Sequence, residues 1–145
     1  MANILLVDDD PVVLHVIERI LKGLGHRAWK AEDADGAIAL LDSRGFDLAI
    51  VDLVLPRTSG IQLATRMRER WPSLPVVAMS AHTSTESVWT LLVLDRLGIR
   101  GVLEKPVDRA RLKAALERGL KKSNEKGEVG RGGPSEQDPR PATGR

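Results

Sequence analysis

Short runs of apolar residues alternate with amphipathic stretches along the first 120 positions of the chain. The runs lie at residues 4–7, 27–31, 48–51, 76–79 and 101–103. Each run has the length of a buried strand, and between the runs apolar residues recur at intervals of three and four, as on one face of a helix. Thr83 and Glu86 have the spacing of a capping box before the fourth helical stretch, and the fifth begins near Asp108. This alternation predicts an α/β fold with a parallel sheet covered by helices on both faces.

Composition narrows the class of protein. The chain has 145 residues and no cysteine, which excludes a disulfide framework and a thiolate metal site. No basic segment precedes an apolar one at the N-terminus, and no apolar run approaches the roughly 20 residues that cross a bilayer. We therefore expect one cytoplasmic domain without membrane contact.

The composition changes near residue 120. Residues 121–145 contain two hydrophobic residues against eight glycines and prolines, and they carry six basic and four acidic side chains. The preceding segment carries sixteen of each charge, so the basic character of the chain comes from its end. Such a segment cannot bury enough apolar surface to fold, and its mixed charges give little reason to expect DNA binding. The sequence therefore predicts a domain at residues 1–121 and a disordered Gly/Pro/charged tail at 122–145.

Polar side chains follow four of the five predicted strands. Asp8 and Asp9 follow the first strand, Asp52 the third, Ser80 the fourth and Lys105 the fifth. Because the carboxyl ends of parallel strands meet at one edge of the sheet, these groups are candidates for a common site. Three carboxylates and one ammonium leave a formal charge of about −2, which a divalent cation balances. Oxygen ligands without histidine or cysteine favour Mg²⁺, with Mn²⁺ as a substitute.

Four segments of this set resemble the receiver domain of two-component response regulators, over residues 3–121. The matching segments are the acidic pair Asp8-Asp9, the loop from Asp52 through Pro56 to Gly60, the pair Ser80-Ala81, and the pair Lys105-Pro106. The resemblance implies the flavodoxin-like receiver fold: five helices around a doubly wound, five-stranded parallel sheet in the order 2-1-3-4-5. It also implies a signalling protein with no enzymatic activity beyond self-catalysed phosphoryl transfer and autodephosphorylation.

The resemblance assigns a role to each polar residue at the strand ends. Asp52 would be the phosphoacceptor and would take its phosphoryl group from a phosphohistidine of a sensor kinase or a phosphotransfer protein. Asp9 would bind Mg²⁺ directly and Asp8 mainly through water, while Asp52 and the backbone carbonyl of Val54 would also contribute to the metal site. Lys105 would contact a phosphoryl oxygen.

Ser80 would report phosphorylation through its hydroxyl group. Its movement toward the phosphoryl group would displace the loop that follows, where Ala81 matches the small residue usual in the family. Pro106 follows the lysine, and the resemblance implies a cis peptide bond between them.

The aromatic switch position departs from the family pattern. Val102 stands where an aromatic side chain usually reports the switch, so coupling must pass through the backbone and helix packing, be weak, or involve Trp89. Trp89 lies in a fourth helix that is apolar on nearly every side from residue 88 to 94. This helix is therefore the expected contact for a downstream protein or for a second copy of the chain.

Two other functions are alternatives to phosphoacceptance. A haloacid-dehalogenase-like phosphatase would use Asp8 as nucleophile and Asp10 as acid/base. Two observations argue against it: no acidic pair follows Lys105 in the sequence, and Asp52 would have no role in that mechanism. A receiver-like adaptor that works without phosphorylation is favoured by Val102 and disfavoured by the complete set of polar residues. The expectation is a stand-alone receiver that signals by binding another protein.

Overall fold

The computed structural model describes residues 1–81 and 88–131 of the chain. In chain order the strands are β1 (Asn3–Val7), β2 (Arg27–Ala31), β3 (Leu48–Asp52), β4 (Val54–Leu55), β5 (Thr58–Ser59), β6 (Val76–Ser80) and β7 (Ile99–Glu104). The helices are α1 (Pro11–Gly23), α2 (Ala34–Ser43), α3 (Gly60–Arg70), α4 (Val88–Arg96) and α5 (Arg109–Arg131). Strand and helix alternate through most of the described chain, as the apolar pattern predicts.

Five of these strands form one parallel sheet in the order β2-β1-β3-β6-β7. The order is the predicted 2-1-3-4-5 arrangement once the two short strands β4 and β5 are set aside, so the α/β doubly wound fold is confirmed. The register pairs Val7 with both Ala31 and Val51, and Asp52 with Met79. The strands therefore end nearly level, and the residues after β1, β3, β6 and β7 come to the same edge.

Alternating residues of the sheet pack against different pairs of helices. In β1, Ile4 and Leu6 belong to the core that includes α1 and α5, whereas Leu5 and Val7 belong to the core that includes α2 and α3. All four side chains are fully buried, as expected of a strand covered on both faces. This two-sided burial explains why the strands appear as continuous apolar runs in the sequence.

The helix starts are fixed by side-chain caps close to the strand ends. Asp10 caps α1 by accepting a hydrogen bond from the backbone N–H of Val12, and Pro11 occupies the first turn. Ser59 and Gln62 form a capping box at the start of α3. These caps hold the loops at the carboxyl edge of the sheet in defined positions.

The structure adds two features to the predicted elements. A two-stranded antiparallel hairpin, β4-β5, lies between β3 and α3, and α5 continues to Arg131, past residue 121 where the sequence analysis placed the end of the domain. The residues after Arg131 and the proposed cap at Thr83 and Glu86 lie outside the described part of the chain.

Within residues 1–81 and 88–131, none of the helices combines the length and apolarity that crossing a membrane requires.

His26 joins the N-terminus of β1 to the start of β2. Its Nδ1 accepts a hydrogen bond from the backbone N–H of Ala2 at 3.0 Å. Burial lowers the pKa of His26, and the positive N-terminus lowers it further, although Asp47 opposes both effects. The neutral imidazole is therefore the form that the folded protein prefers.

We expect the folded protein to lose stability as the pH falls below about 6.5, the ordinary pKa of histidine, because the unfolded chain takes up a proton on His26 more readily. His26→Gln should flatten this part of the pH profile of the urea midpoint. His15→Gln, which changes an exposed histidine on α1, serves as the matched control. Equal slopes for wild type and His26→Gln would contradict the prediction.

Candidate functional site

Three carboxylates meet at the carboxyl edge of the sheet, where the sequence placed them. Asp8 and Asp9 follow β1 and Asp52 ends β3, and one oxygen from each residue lies within 4.8 Å of the other two. Asp8 is fully buried and Asp52 is 4% exposed, whereas Asp9 is exposed to solvent. The site therefore has a buried floor of two carboxylates and one carboxylate at its mouth.

Backbone hydrogen bonds orient the two buried carboxylates. The N–H of Asp10 donates to Oδ1 of Asp8 at 2.9 Å, and the N–H of Val54 donates to Oδ1 of Asp52 at 2.9 Å. In each case the donor lies two residues further along the chain, so the turn after the strand fixes the carboxylate. Oδ2 of each aspartate is left on the side of Lys105.

Lys105 connects the end of its own strand to the ends of three other strands, β1, β3 and β6. It follows β7, its Nζ lies 2.7 Å from Oδ2 of both Asp8 and Asp52, and its backbone N–H donates to the carbonyl of Ser80 at 2.8 Å. The contact with Asp52 is a hydrogen bond, whereas the one with Asp8 is an ion pair without hydrogen-bond geometry. One ammonium thus compensates part of the charge of two buried carboxylates.

Burial and the mutual contacts of the charged groups shift the pKa values of Asp8 and Lys105. Burial raises the pKa of Asp8 and the charge of Asp52 adds to this, while the contact with Lys105 and the N–H of Asp10 act in the opposite direction. Burial alone would lower the pKa of Lys105, but its contacts with Asp52 and Asp8 outweigh burial and raise it. Lys105 therefore remains charged, and the site favours an additional cation that would hold Asp8 ionised.

The donor set fits a hard divalent cation. Mg²⁺ binds carboxylate oxygens at about 2.0–2.1 Å in an octahedron, so ligands on opposite sides are about 4.2 Å apart. The spread of up to 4.8 Å among the three carboxylate oxygens is close to this span, and a water molecule can replace one direct bond. Oδ2 of the buried Asp8 lies 2.7 Å from the Lys105 ammonium, so a bound cation would share the charge of this carboxylate with Lys105.

Ser80 and Ala81 lie beside the acidic cluster. Ser80 ends β6 and is 3% exposed, and its strand neighbour Met79 pairs with Asp52 across the ladder. Ala81, the next residue, is exposed. The sheet therefore brings together all five polar residues singled out at the strand ends.

The loop after Asp52 contains features that the sequence analysis missed. Its β4-β5 hairpin turns at Pro56-Arg57, where Arg57 has a φ of 65°, a left-handed conformation unusual outside glycine. The Arg57 guanidinium lies 3.5 Å from the carboxylate of Asp33, the N-cap of α2. The proline was the one available signal for this turn, since strands of two residues are too short to show a period.

Two further sequence predictions concern the Lys105-Pro106 peptide bond and Val102. The Lys105-Pro106 peptide bond is cis, which confirms the geometry that the resemblance implied. Val102 lies in β7 opposite Ala78 of β6 and is partly buried. The side chain of Trp89, the alternative route for coupling, lies outside the described part of the structure.

A doubly wound sheet with three clustered carboxylates and a lysine at its carboxyl edge defines a class of domain built to hold a cation and an anionic group together. Residues 4–117 match the family model described as the response regulator receiver domain. The chain belongs to this family, and none of the findings favours the phosphatase or the adaptor alternative.

Individual relatives agree with this assignment. Protein PilH of Pseudomonas aeruginosa is 31% identical over 115 residues, which cover 77% of this chain and 92% of that protein. The nitrogen assimilation regulatory protein NtrX of Azorhizobium caulinodans is 34% identical over 81% of this chain, but the match covers 26% of its own length. The chain thus spans about a quarter of the length of several curated relatives.

Solved structures give the same fold. A crystal structure of NtrX from Brucella abortus in complex with ATP superposes with a TM-score of 0.81 at 35% identity, covering 88% of this chain and 29% of that one. A CheY-like response regulator receiver domain protein from Methanospirillum hungatei superposes with a TM-score of 0.78, covering 87% and 98% of the two chains. Its 23% identity supports the fold alone.

Proposed function

We propose that the protein is a phosphoacceptor that takes a phosphoryl group onto Asp52 from a phosphohistidine of a sensor kinase or phosphotransfer protein. The observation that carries the proposal is the setting of Asp52. Its carboxylate is oriented by the Val54 N–H, contacts the Lys105 ammonium at 2.7 Å, and shares a cluster with Asp8 and Asp9. The groups that we assign as nucleophile, phosphate-binding cation and metal ligands thus lie within one small site.

Phosphoryl transfer at this site needs positioning and charge compensation more than a base. A carboxylate oxygen of Asp52 forms a bond to phosphorus while the P–N bond of the donor breaks, and the electron pair of that bond stays on the imidazole. Lys105 turns from the carboxylates toward a phosphoryl oxygen, and the Ser80 hydroxyl donates to another. The displaced Ser80 backbone then moves the loop at Ala81, which transmits the signal to the surface.

Mg²⁺ is the proposed cofactor, with Mn²⁺ as its substitute. When bound, it neutralises phosphoryl oxygens that the three carboxylates would otherwise repel. Asp8, Asp9 and Asp52 would hold it together with the backbone carbonyl of Val54. The same arrangement admits slow hydrolysis of the acyl phosphate, so self-catalysed loss of the phosphoryl group is part of the proposal.

Exposed valines beside the acidic cluster support docking of a protein donor. Val12 and Val16 are 68% and 44% exposed, and they lie one turn apart on α1, which begins two residues after Asp9. Val54 is 74% exposed and lies two residues after Asp52. Apolar side chains on both flanks of the nucleophile suit the helix that would carry the phosphohistidine.

The proposed output surface is α4. Leu92 of this helix is 56% exposed whereas Leu94 is 4% exposed, so the helix offers apolar surface to solvent as well as to the core. A downstream protein or a second copy of the chain would bind there. Where a longer protein carries this domain, an attached output domain is a further candidate.

The direct test is phosphorylation by a small donor. Incubation with acetyl phosphate and Mg²⁺ should add the mass of one phosphoryl group, measured on the intact protein, and excess EDTA should remove the effect. Equal adducts with and without EDTA would overturn the metal-dependent mechanism.

Docking of the kinase can be separated from chemistry at Asp52. Val16→Asp should slow transfer from phosphorylated sensor kinases by about tenfold, because a charge on the docking surface opposes burial, and should leave phosphorylation by acetyl phosphate unchanged. Thr65→Asp on α3 adds the same charge at another exposed helix position and serves as the control. The rate of phosphoryl transfer is measured with the kinase that, within a panel, phosphorylates the wild type fastest. Equal slowing in Val16→Asp and Thr65→Asp would count against docking at the exposed valines.

A further inference from the structure

An open pocket of about 360 Å³ lies far from the phosphoacceptor site, where the C-terminal ends of α2 and α3 approach the following strands. Its apolar lining consists of Leu41, Phe46, Trp71, Pro72 and Leu74, and Arg44 lies at its border. The volume lies within the range of small-molecule sites, and the pocket is open to solvent. Nothing in the proposed phosphotransfer requires this pocket.

Arg44 is held in place by an aromatic ring and not by an acid. Its guanidinium lies 3.7 Å from the centroid of the Trp29 ring, a cation–π stack. Among the described residues it makes no ion pair with a carboxylate. A stacked guanidinium keeps the N–H groups along its edge available for a planar anion.

Arg70, unlike Arg44, is paired with a carboxylate. Arg70 stacks on Trp71 with 4.4 Å to the ring centroid, but it is also neutralised by an ion pair with Asp42. Arg27, whose guanidinium lies 5.1 Å from the centroid of the same Trp29 ring, is not a lining residue. Among the residues that line the pocket, Trp71 supplies an aromatic face and Arg44 is the one cation. This combination selects ligands that carry one negative charge on an apolar, ring-shaped body.

We propose that this pocket binds small aromatic carboxylates. The ring would pack against Trp71 and Phe46 and displace water from their faces. The carboxylate would accept charge-assisted hydrogen bonds from Arg44, whose stacking on Trp29 lowers the entropy lost on binding. Binding would be independent of Asp52, so an Asp52→Asn protein would take the ligand as the wild type does.

The probe is 2-naphthoate, titrated into the ¹⁵N-labelled full chain. We expect saturable shifts of the Trp71 indole N–H signal and of the amides at 44–46 and 73–74, with the indole assigned from Trp71→Phe. Two changes should each weaken binding about tenfold: Arg44→Gln, and replacement of the probe by the uncharged 2-naphthalenemethanol. Arg66→Gln removes an exposed arginine of α3 that does not line the pocket, and it should leave the affinity unchanged.

Two results would overturn the proposal. One is equal binding of the charged and uncharged probes with no effect of Arg44→Gln, which would show a merely apolar cleft. The other is the lack of saturable shifts at millimolar 2-naphthoate in the wild type, with its fold confirmed by the same spectrum.

Discussion

Asp52→Asn is expected to abolish acyl-phosphate formation entirely. Asparagine keeps the shape of the side chain and can still accept a hydrogen bond from the Val54 N–H, but its amide is not a nucleophile toward phosphorus. Lys105, whose side chain is 21% exposed, keeps its ion pair with Asp8, so the fold is retained. Intact mass after incubation with acetyl phosphate and Mg²⁺ should show one phosphoryl adduct on the wild type and none on the variant.

The controls for Asp52→Asn separate loss of the nucleophile from loss of charge. Asp35→Asn removes an exposed carboxylate near the start of α2 and should be phosphorylated like the wild type. An adduct that survives in Asp52→Asn would sink the assignment and turn attention to Asp8, the nucleophile of the alternative phosphatase mechanism.

Gly60→Ala is expected to destabilise the protein by about 3 kcal/mol, the upper part of the range for overpacking. A Cβ at Gly60 would overlap the backbone carbonyl oxygen of Asp52 and lie 2.7 Å from Cα of Leu53. The Gly60 N–H also donates to the Leu53 carbonyl at 2.9 Å, so neither segment can move away without losing this bond. Because the strained atoms belong to Asp52, the proposed phosphoacceptor, phosphorylation should slow even at temperatures where the variant is folded.

Gly45→Ala is the matched control for Gly60→Ala. A Cβ at Gly45 meets nothing within 4 Å, and its φ lies outside the left-handed region. Its free energy of unfolding should stay within about 0.5 kcal/mol of the wild type. Urea denaturation of the three proteins gives the comparison, and a Gly60→Ala protein as stable as Gly45→Ala would show that α3 can shift away from β3 without cost.

The parts of the structure that the sequence predicts well are those governed by burial. Strands β1, β3 and β6 are covered on both faces, so each appears as an uninterrupted apolar run, and the polar residue that ends each run marks the edge of the sheet. Asp8, Asp52 and Ser80 could be placed at that edge because the strands are parallel and end nearly level. The prediction of one common site followed from topology alone.

The remaining features depend on contacts between distant residues. The bridging position of Lys105 arises from its two 2.7 Å contacts, which no local pattern contains. The left-handed backbone at Arg57 is imposed by the hairpin turn, against the usual preference for glycine. The stack of Arg44 on Trp29 joins residues of different elements. The roles of Asp52, Lys105 and Ser80 in phosphotransfer, and the tail at 122–145, stay predictions.

The position of Lys105 also determines how the stability of the unphosphorylated protein should depend on the concentration of Mg²⁺. Since Lys105 supplies one counter-charge for the two buried carboxylates of the site, Asp8 and Asp52, the domain is expected to fold before any cation binds. Binding of the proposed Mg²⁺ would then be a separate equilibrium, coupled to folding by mass action. The concentration of free Mg²⁺ would then set how much of the population is ready to react, and the thermal midpoint should rise steadily as that concentration increases.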